Sequence, residues 1–162
     1  MKPKEIMSNT QLKNLTQEDH HGDDHIMSNI ATPLRPDAFE MDDEEKIKVI
    51  AAHFSEIMHT LGLDLEDESL KGTPGRVAKM YVKELFSGLK PENEPSITLF
   101  DNHYKYGEIL VERDISFYSN CEHHFVPIVG KVHIGYISSG RVIGLSKLHR
   151  IVNYYARRPQ VQ

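Results

Sequence analysis

The sequence predicts an α+β fold: N-terminal helices, then an antiparallel sheet, then a further helix. Three observations predict it. Apolar residues recur at helical spacing from Ile47 to Leu61. Between Ser96 and Leu145 the period changes to two. Helical spacing then returns over Leu148, Ile151, Val152 and Tyr155.

A chain of 162 residues is expected to form one domain, over 42–162, behind a polar tail over 1–41. The tail holds Pro33, Pro36 and few apolar residues, and neither period is present, so it reads as mobile. His20, His21 and His25 lie in it among Asp19, Asp23 and Asp24, a pattern better explained by solvated linker than by a metal site.

The first helix starts at Asp42, whose acidic followers Asp43, Glu44 and Glu45 suit the positive end of the helix dipole. Ile47, Ile50, Ala51, Phe54, Ile57, Met58 and Leu61 form its core face, and Gly62 suits its C-terminal cap. His53 and His59 read as surface residues. A second helix starts with Thr73 as N-cap and Pro74 in the first turn, buries Val77, Met80, Tyr81 and Leu85, and ends near Gly88.

Strands follow around Ile97 and Leu99, Ile109 and Val111, Ile115 and Phe117, and Val132, Ile134 and Tyr136, each alternating with polar partners. Ser138-Ser139-Gly140 predicts a hairpin turn to Val142 and Ile143, so an antiparallel meander with one buried face is expected. The third helix takes Ser146 as its N-cap.

Charge is unevenly placed. Residues 1–45 carry four Lys/Arg and eleven Asp/Glu, a net of −7, and residues 46–162 carry fifteen and thirteen, a net of +2. No acid follows Glu122, whereas Lys131, Arg141, Lys147, Arg150, Arg157 and Arg158 are all basic. Lys147 and Arg150 lie in the first turn of the third helix and Arg76 in that of the second, where cations oppose the dipole unless an anion is shared. A lysine point charge beside an arginine fork suits phosphate oxygens, although a solvated basic face gives the same pattern.

The chemistry-bearing stretch is Cys121-Glu122-His123-His124, at a bend between strands. A thiolate and an imidazole three residues apart reach one ion if the backbone turns tightly, and zinc takes such S/N ligands. The adjacent imidazole is suited to proton transfer near neutral pH. The plain alternative is a buried cysteine beside a surface histidine pair. Glu122, His103 and His133 qualify as a third ligand only by residue type. Cys121 is the single cysteine, which argues against an internal disulfide and fits a reducing compartment. With no apolar run long enough to span a bilayer and no signal-peptide core, a soluble, cytoplasmic protein is expected, with no nucleic-acid or membrane partner.

Four motifs carry a resemblance. Gly72-Thr73-Pro74-Gly75-Arg76-Val77-Ala78-Lys79-Met80-Tyr81, Cys121-Glu122-His123-His124-Phe125-Val126-Pro127, Gly144-Leu145-Ser146-Lys147-Leu148-His149-Arg150-Ile151-Val152 and Arg158-Pro159-Gln160-Val161-Gln162 resemble GTP cyclohydrolase I, in the family's order, over residues 44–162. The resemblance implies the first half of a tunnelling-fold (ββααββ) unit in a ring-forming homo-oligomer. It implies Zn²⁺ on Cys121, His124 and a later cysteine, with His123 as proton donor and acceptor. It also implies that Arg76, Ser146, Lys147 and Arg150 hold the triphosphate of GTP and that Gln162 contacts substrate. The implied reaction hydrolyses GTP to 7,8-dihydroneopterin triphosphate and formate, the first step of tetrahydrofolate and pterin biosynthesis.

Two departures qualify it. Gly75 stands where a basic residue is common in the family. Family members also continue beyond the position of Gln162 with a guanine-anchoring Glu, the other zinc cysteine, a further catalytic His and another phosphate-binding Arg. The domain is therefore expected to be incomplete at its C-terminus, and the alternative function is a catalytically incomplete fragment that binds anions or associates with full-length homologues. A reductase of the same superfamily, acting on a deazaguanine nitrile, would use Cys121 as a nucleophile; the adjacent histidine pair favours the metal.

Overall fold

The computed structural model describes residues 32–105 and 107–161; the histidines at 20, 21 and 25 and Gln162 lie outside them. Helix α1 (Asp43–Thr60) starts where the acidic run predicts, with the Asp42 carboxylate accepting from the Glu45 N–H at 2.8 Å. It ends in a Schellman motif. Gly62 adopts φ +81° and its N–H donates to the His59 carbonyl, while the Leu63 N–H reaches the Met58 carbonyl. Of the expected core face only Met58 is buried; Ile57 and Leu61 point outward, because α1 packs against its neighbour along a narrower stripe than the sequence offers.

Helix α2 (Thr73–Met80) begins one residue earlier than expected: Gly72 is the cap position and Thr73 lies inside the helix. The Thr73 hydroxyl is unavailable for capping because it accepts from Arg76 Nη2 at 2.8 Å. The helix then widens into a π-turn (Tyr81–Leu85), with the Phe86 N–H on the Tyr81 carbonyl. Ala78 and Val82, deeper than the predicted stripe, are the buried residues of this segment. Asp43 ties α1 to it, bonding Lys83 at 2.7 Å and also pairing with Lys90; the hydrogen bond from Lys83, then that from Lys90, lowers the Asp43 pKa.

The strands are β1 (Leu99–Asp101), β2 (Ile109–Cys121), β3 (Pro127–Ile137), β4 (Arg141–Ile143) and β5 (Pro159–Gln160). The expected single meander is replaced by two sheets. β2 and β3 form a long antiparallel hairpin running from Ile109 opposite Ile137 to Asn120 opposite Pro127. After it, Gly140 (φ +95°) turns the chain, but β4 leaves β3 and pairs with β1, Phe100 opposite Val142. The Asn102 N–H on the Gly140 carbonyl closes that second sheet. β5 adds to β2 in parallel, Cys121 opposite Gln160.

The two apolar runs in β2 are one strand broken by a bulge between Glu112 and Ile115, with Asp114 at φ +62°. The bulge shifts the period, so Ile115 and Phe117 face inward while Ile109 and Val111, expected on the same face, point to the other side. On β3, Val132, Ile134 and Tyr136 alternate with exposed neighbours as expected.

Helix α3 (Leu145–Ala156) lies on the covered face of the hairpin and buries Leu148, Val152, Tyr154 and Ala156. Tyr154 takes the inward place expected of Tyr155, its hydroxyl donating to the Lys90 carbonyl at 3.3 Å; Arg158 stacks on both rings at 4.6 Å and its Nε bonds the Gly88 carbonyl at 2.7 Å. Gly88 sits against the end of α3. Its N–H donates to the Arg157 carbonyl, and an added Cβ would stand 2.0 Å from the Tyr154 carbonyl oxygen. None of the described helices is long and apolar enough to cross a membrane.

Gly88→Ala therefore forces backbone apart at that contact. The expected result is a loss of about 1–3 kcal/mol in denaturant unfolding, whereas Gly75→Ala, with open space around its Cβ position, is expected to be neutral or stabilising.

Candidate metal and anion site

The Cys-Glu-His-His stretch forms the turn that joins β2 to β3. The Cys121 N–H donates to the Val126 carbonyl at 2.8 Å and the Phe125 N–H returns to the Cys121 carbonyl at 2.9 Å. Closing so short a loop puts Phe125 at φ +56°. The Asn120 side chain donates to the Phe125 carbonyl at 3.3 Å, and the Phe86 ring meets Phe125 edge-on at 5.3 Å. On the other side the Glu122 N–H donates to the Gln160 carbonyl at 2.9 Å, anchoring the turn to β5.

This turn brings three donor side chains together. Cys121 Sγ lies 3.8 Å from Nδ1 of His123 and 3.8 Å from Nδ1 of His124. In a tetrahedral zinc site with bonds of about 2.3 Å to sulfur and about 2.0–2.1 Å to nitrogen, the two donors would stand about 3.6 Å apart. The observed spacing fits that donor pair. Distance alone does not separate the two imidazoles, but a carboxylate does: Glu122 Oε1 is 3.6 Å from His123 Nε2. Among the described residues no group of three His, Cys, Asp or Glu side chains is arranged to hold a metal. His133 instead accepts the Asp114 N–H at 3.3 Å on β3, and His103 lies in the turn after β1.

The basic residues sit elsewhere. Arg76 folds back over the start of α2, its Nη2 on the Ser69 carbonyl at 3.1 Å and on the Thr73 hydroxyl. Ser146 is the second residue of α3, not its cap; Gly144 takes that place without a side-chain bond. The first turn of α3 holds no acid, and the side chains of Lys147 and Arg150 make no hydrogen bond or ion pair among the described residues. Arg150 lines a cleft of about 360 Å³ with Ser87, Asn93, Asn153 and Arg157. Among the described residues no hydrogen bond or ion pair links Arg76 to α3. The fold thus assembles Cys121, His123 and His124, and separately Lys147 and Arg150.

By residue type Glu122 qualifies only as a metal ligand; its place beside His123 follows from the tight turn, which period and propensity do not reveal. The hydrogen bond from His124, with smaller contributions from backbone groups and from His123, lowers the Cys121 pKa to about 6. Metal-free protein is therefore expected to react with iodoacetamide with a pH midpoint near 6, below the ~8.5 of a free thiol. A midpoint above 8 in the folded protein would contradict this turn geometry.

Comparison with known proteins shows the family. The GTP cyclohydrolase I family profile matches residues 50–162. The chain is 61% identical over 144 residues to GTP cyclohydrolase 1 of Flavobacterium johnsoniae, covering 89% of this chain and 65% of that protein. It is 53% identical over 137 residues to GTP cyclohydrolase 1 of Escherichia coli O1:K1, and equally to that of Shigella boydii serotype 18, covering 85% of this chain and 62% of each. The chain thus spans a little under two thirds of the length of these relatives. With its motifs, its α+β architecture and these matches taken together, the chain belongs to the GTP cyclohydrolase I family.

Proposed function

We propose that this chain is a zinc-dependent GTP cyclohydrolase I polypeptide, which hydrolyses GTP to 7,8-dihydroneopterin triphosphate and formate in a cytoplasmic homo-oligomer. The observation that carries this reading is the single turn that sets a thiol of lowered pKa 3.8 Å from two imidazoles. Cys121 and His124 would hold the zinc, which when bound supplies a Lewis acid and lowers the pKa of a bound water to about 7. His123 is the proton carrier: Glu122 orients its Nε2 edge, so the ring accepts a proton as water adds to the purine and returns it as the C–N bond breaks. Lys147 and Arg150, without an anionic partner of their own, bind the triphosphate at the start of α3, where free N–H groups also face the anion. Ser146 joins them there. Arg76 would serve the same ligand only after releasing the Ser69 carbonyl, or from a neighbouring subunit.

Assembly is supported by the outer face of the β2–β3 hairpin. Ile109 with Ile137 and Tyr118 with Val129 are facing apolar pairs at the two ends of that face, each residue more than 60% exposed and of the kind that a second copy covers. A second reading is an anion-binding chain without turnover, favoured by the two-donor metal set among the described residues.

Formate release from GTP by zinc-loaded protein separates the two readings: turnover supports the enzyme, and GTP binding without turnover supports the alternative. If the enzyme reading holds, Cys121→Ser and His124→Ala lose zinc by elemental analysis. His123→Gln keeps zinc and loses about 10²–10⁴-fold in rate. Tyr118→Lys combined with Val129→Glu, which face each other across the hairpin, is expected to shift the species seen by light scattering towards monomer.

A further inference from the structure

The covered face of β2 reads Leu110, Glu112, Ile115 and Phe117, so one acid occupies a position whose neighbours are apolar. Glu112 is the last paired residue before the bulge, opposite Ile134, and its side chain is only 27% exposed. A carboxylate on such a face is retained when it has a partner. Its partner is His149, whose Nε2 lies 3.2 Å from Glu112 Oε1.

His149 stands between Lys147 and Arg150 on α3. The other side-chain hydrogen bonds of that helix cluster at its C-terminal end: Tyr154 to the Lys90 carbonyl and Gln160 to the Tyr155 carbonyl. The N-terminal half has no capping side chain and no acid in its first turn. Among the described residues, the His149–Glu112 contact is the one side-chain polar tie between the first half of α3 and the sheet. Val152, Tyr154 and Ala156 anchor the second half of the helix, whereas in the first half Leu148 is the one buried apolar residue, so the first turn depends more on its polar tie.

We propose that Glu112 and His149 are positioning residues that fix the rotation of the first turn of α3, and so aim Lys147 and Arg150 at a triphosphate. This rests on the anion-binding reading given above and adds two residues to it. Position and charge make opposite predictions. Removing the Glu112 carboxylate makes the surroundings of Lys147 and Arg150 more positive, so charge alone would tighten anion binding. Loss of positioning weakens it.

The test titrates inorganic triphosphate by calorimetry into the wild-type chain, Glu112→Ala and Glu112→Gln. The expected result is about threefold weaker binding for Glu112→Ala and partial rescue in Glu112→Gln, which keeps an oxygen for the His149 N–H. Equal or tighter binding in both variants overturns the proposal. If the wild-type chain binds no triphosphate, the anion-binding reading falls, and the positioning claim is then decided by amide hydrogen exchange in Glu112→Ala. Faster exchange confined to Lys147, His149 and Arg150, in the first two turns of α3, supports it; unchanged or uniformly faster exchange overturns it.

Discussion

The hydrogen bond from the Cys121 N–H to the Val126 carbonyl closes the β2–β3 hairpin in so few residues that Phe125 must adopt a left-handed backbone. For a residue with a Cβ this costs about 1–2 kcal/mol. Two contacts offset the strain: the Asn120 amide on the Phe125 carbonyl, and the edge-on Phe86 ring, a contact of about 0.5–1.5 kcal/mol. A strained turn held from both sides has little freedom. It therefore presents Cys121, His123 and His124 in one arrangement before any ligand arrives, which is the preorganisation a metal site requires.

Phe86 carries this constraint into the helical layer. Phe54, Tyr81, Phe86 and Phe125 form a chain of edge-on aromatic contacts at 6.4, 5.5 and 5.3 Å, leading from α1 through the π-turn to the donor turn. The π-turn is part of the same device, since one extra residue in that turn rotates the following chain so that Phe86 meets Phe125. Within it and just beyond it, the carbonyls of Glu84, Gly88 and Lys90 accept from Arg157, Arg158 and Tyr154. The same short segment therefore holds the donor turn on one side and the end of α3 on the other.

What the sequence made legible follows from the physics of each element. Helix positions and the α+β order were readable because apolar spacing and acidic first turns are local signals. The donor turn was readable because residue type and spacing limit which atoms can meet. Sheet pairing was not: whether β4 joins β3 or β1 depends on the turn at Gly140 and on Asn102, residues that no period reports. The β2 bulge was invisible for a related reason. Ile109, Val111, Ile115 and Phe117 alternate in sequence as if on one face, and only Asp114 in a left-handed conformation divides them. Thr73 and Ser146 carry good capping side chains, yet Arg76 occupies one and Gly144 displaces the other. The basic residues were legible as a set by composition, but their separation into Arg76 on α2 and Lys147 with Arg150 on α3 is a tertiary fact.

The remaining step concerns how the two halves of the proposed site are kept in register. A reaction that opens a purine while its triphosphate is held elsewhere needs the two anchors at a fixed separation, because misplacement by about 1 Å costs about two orders of magnitude in rate. In this fold the separation is set largely through β5. The Glu122 N–H binds the Gln160 carbonyl, and Cys121 stands opposite Gln160 in the parallel β2–β5 pair. Gln160 in turn donates through its amide to the Tyr155 carbonyl at the end of α3. The helix then carries that reference point back to Lys147 and Arg150, while their rotation about its axis is the part proposed for Glu112 and His149. Arg158 and the Gln160 side chain thus hold the helix end while the Gln160 backbone holds the donor turn, so the distance between the Cys121 sulfur and the first turn of α3 is set through a two-residue strand.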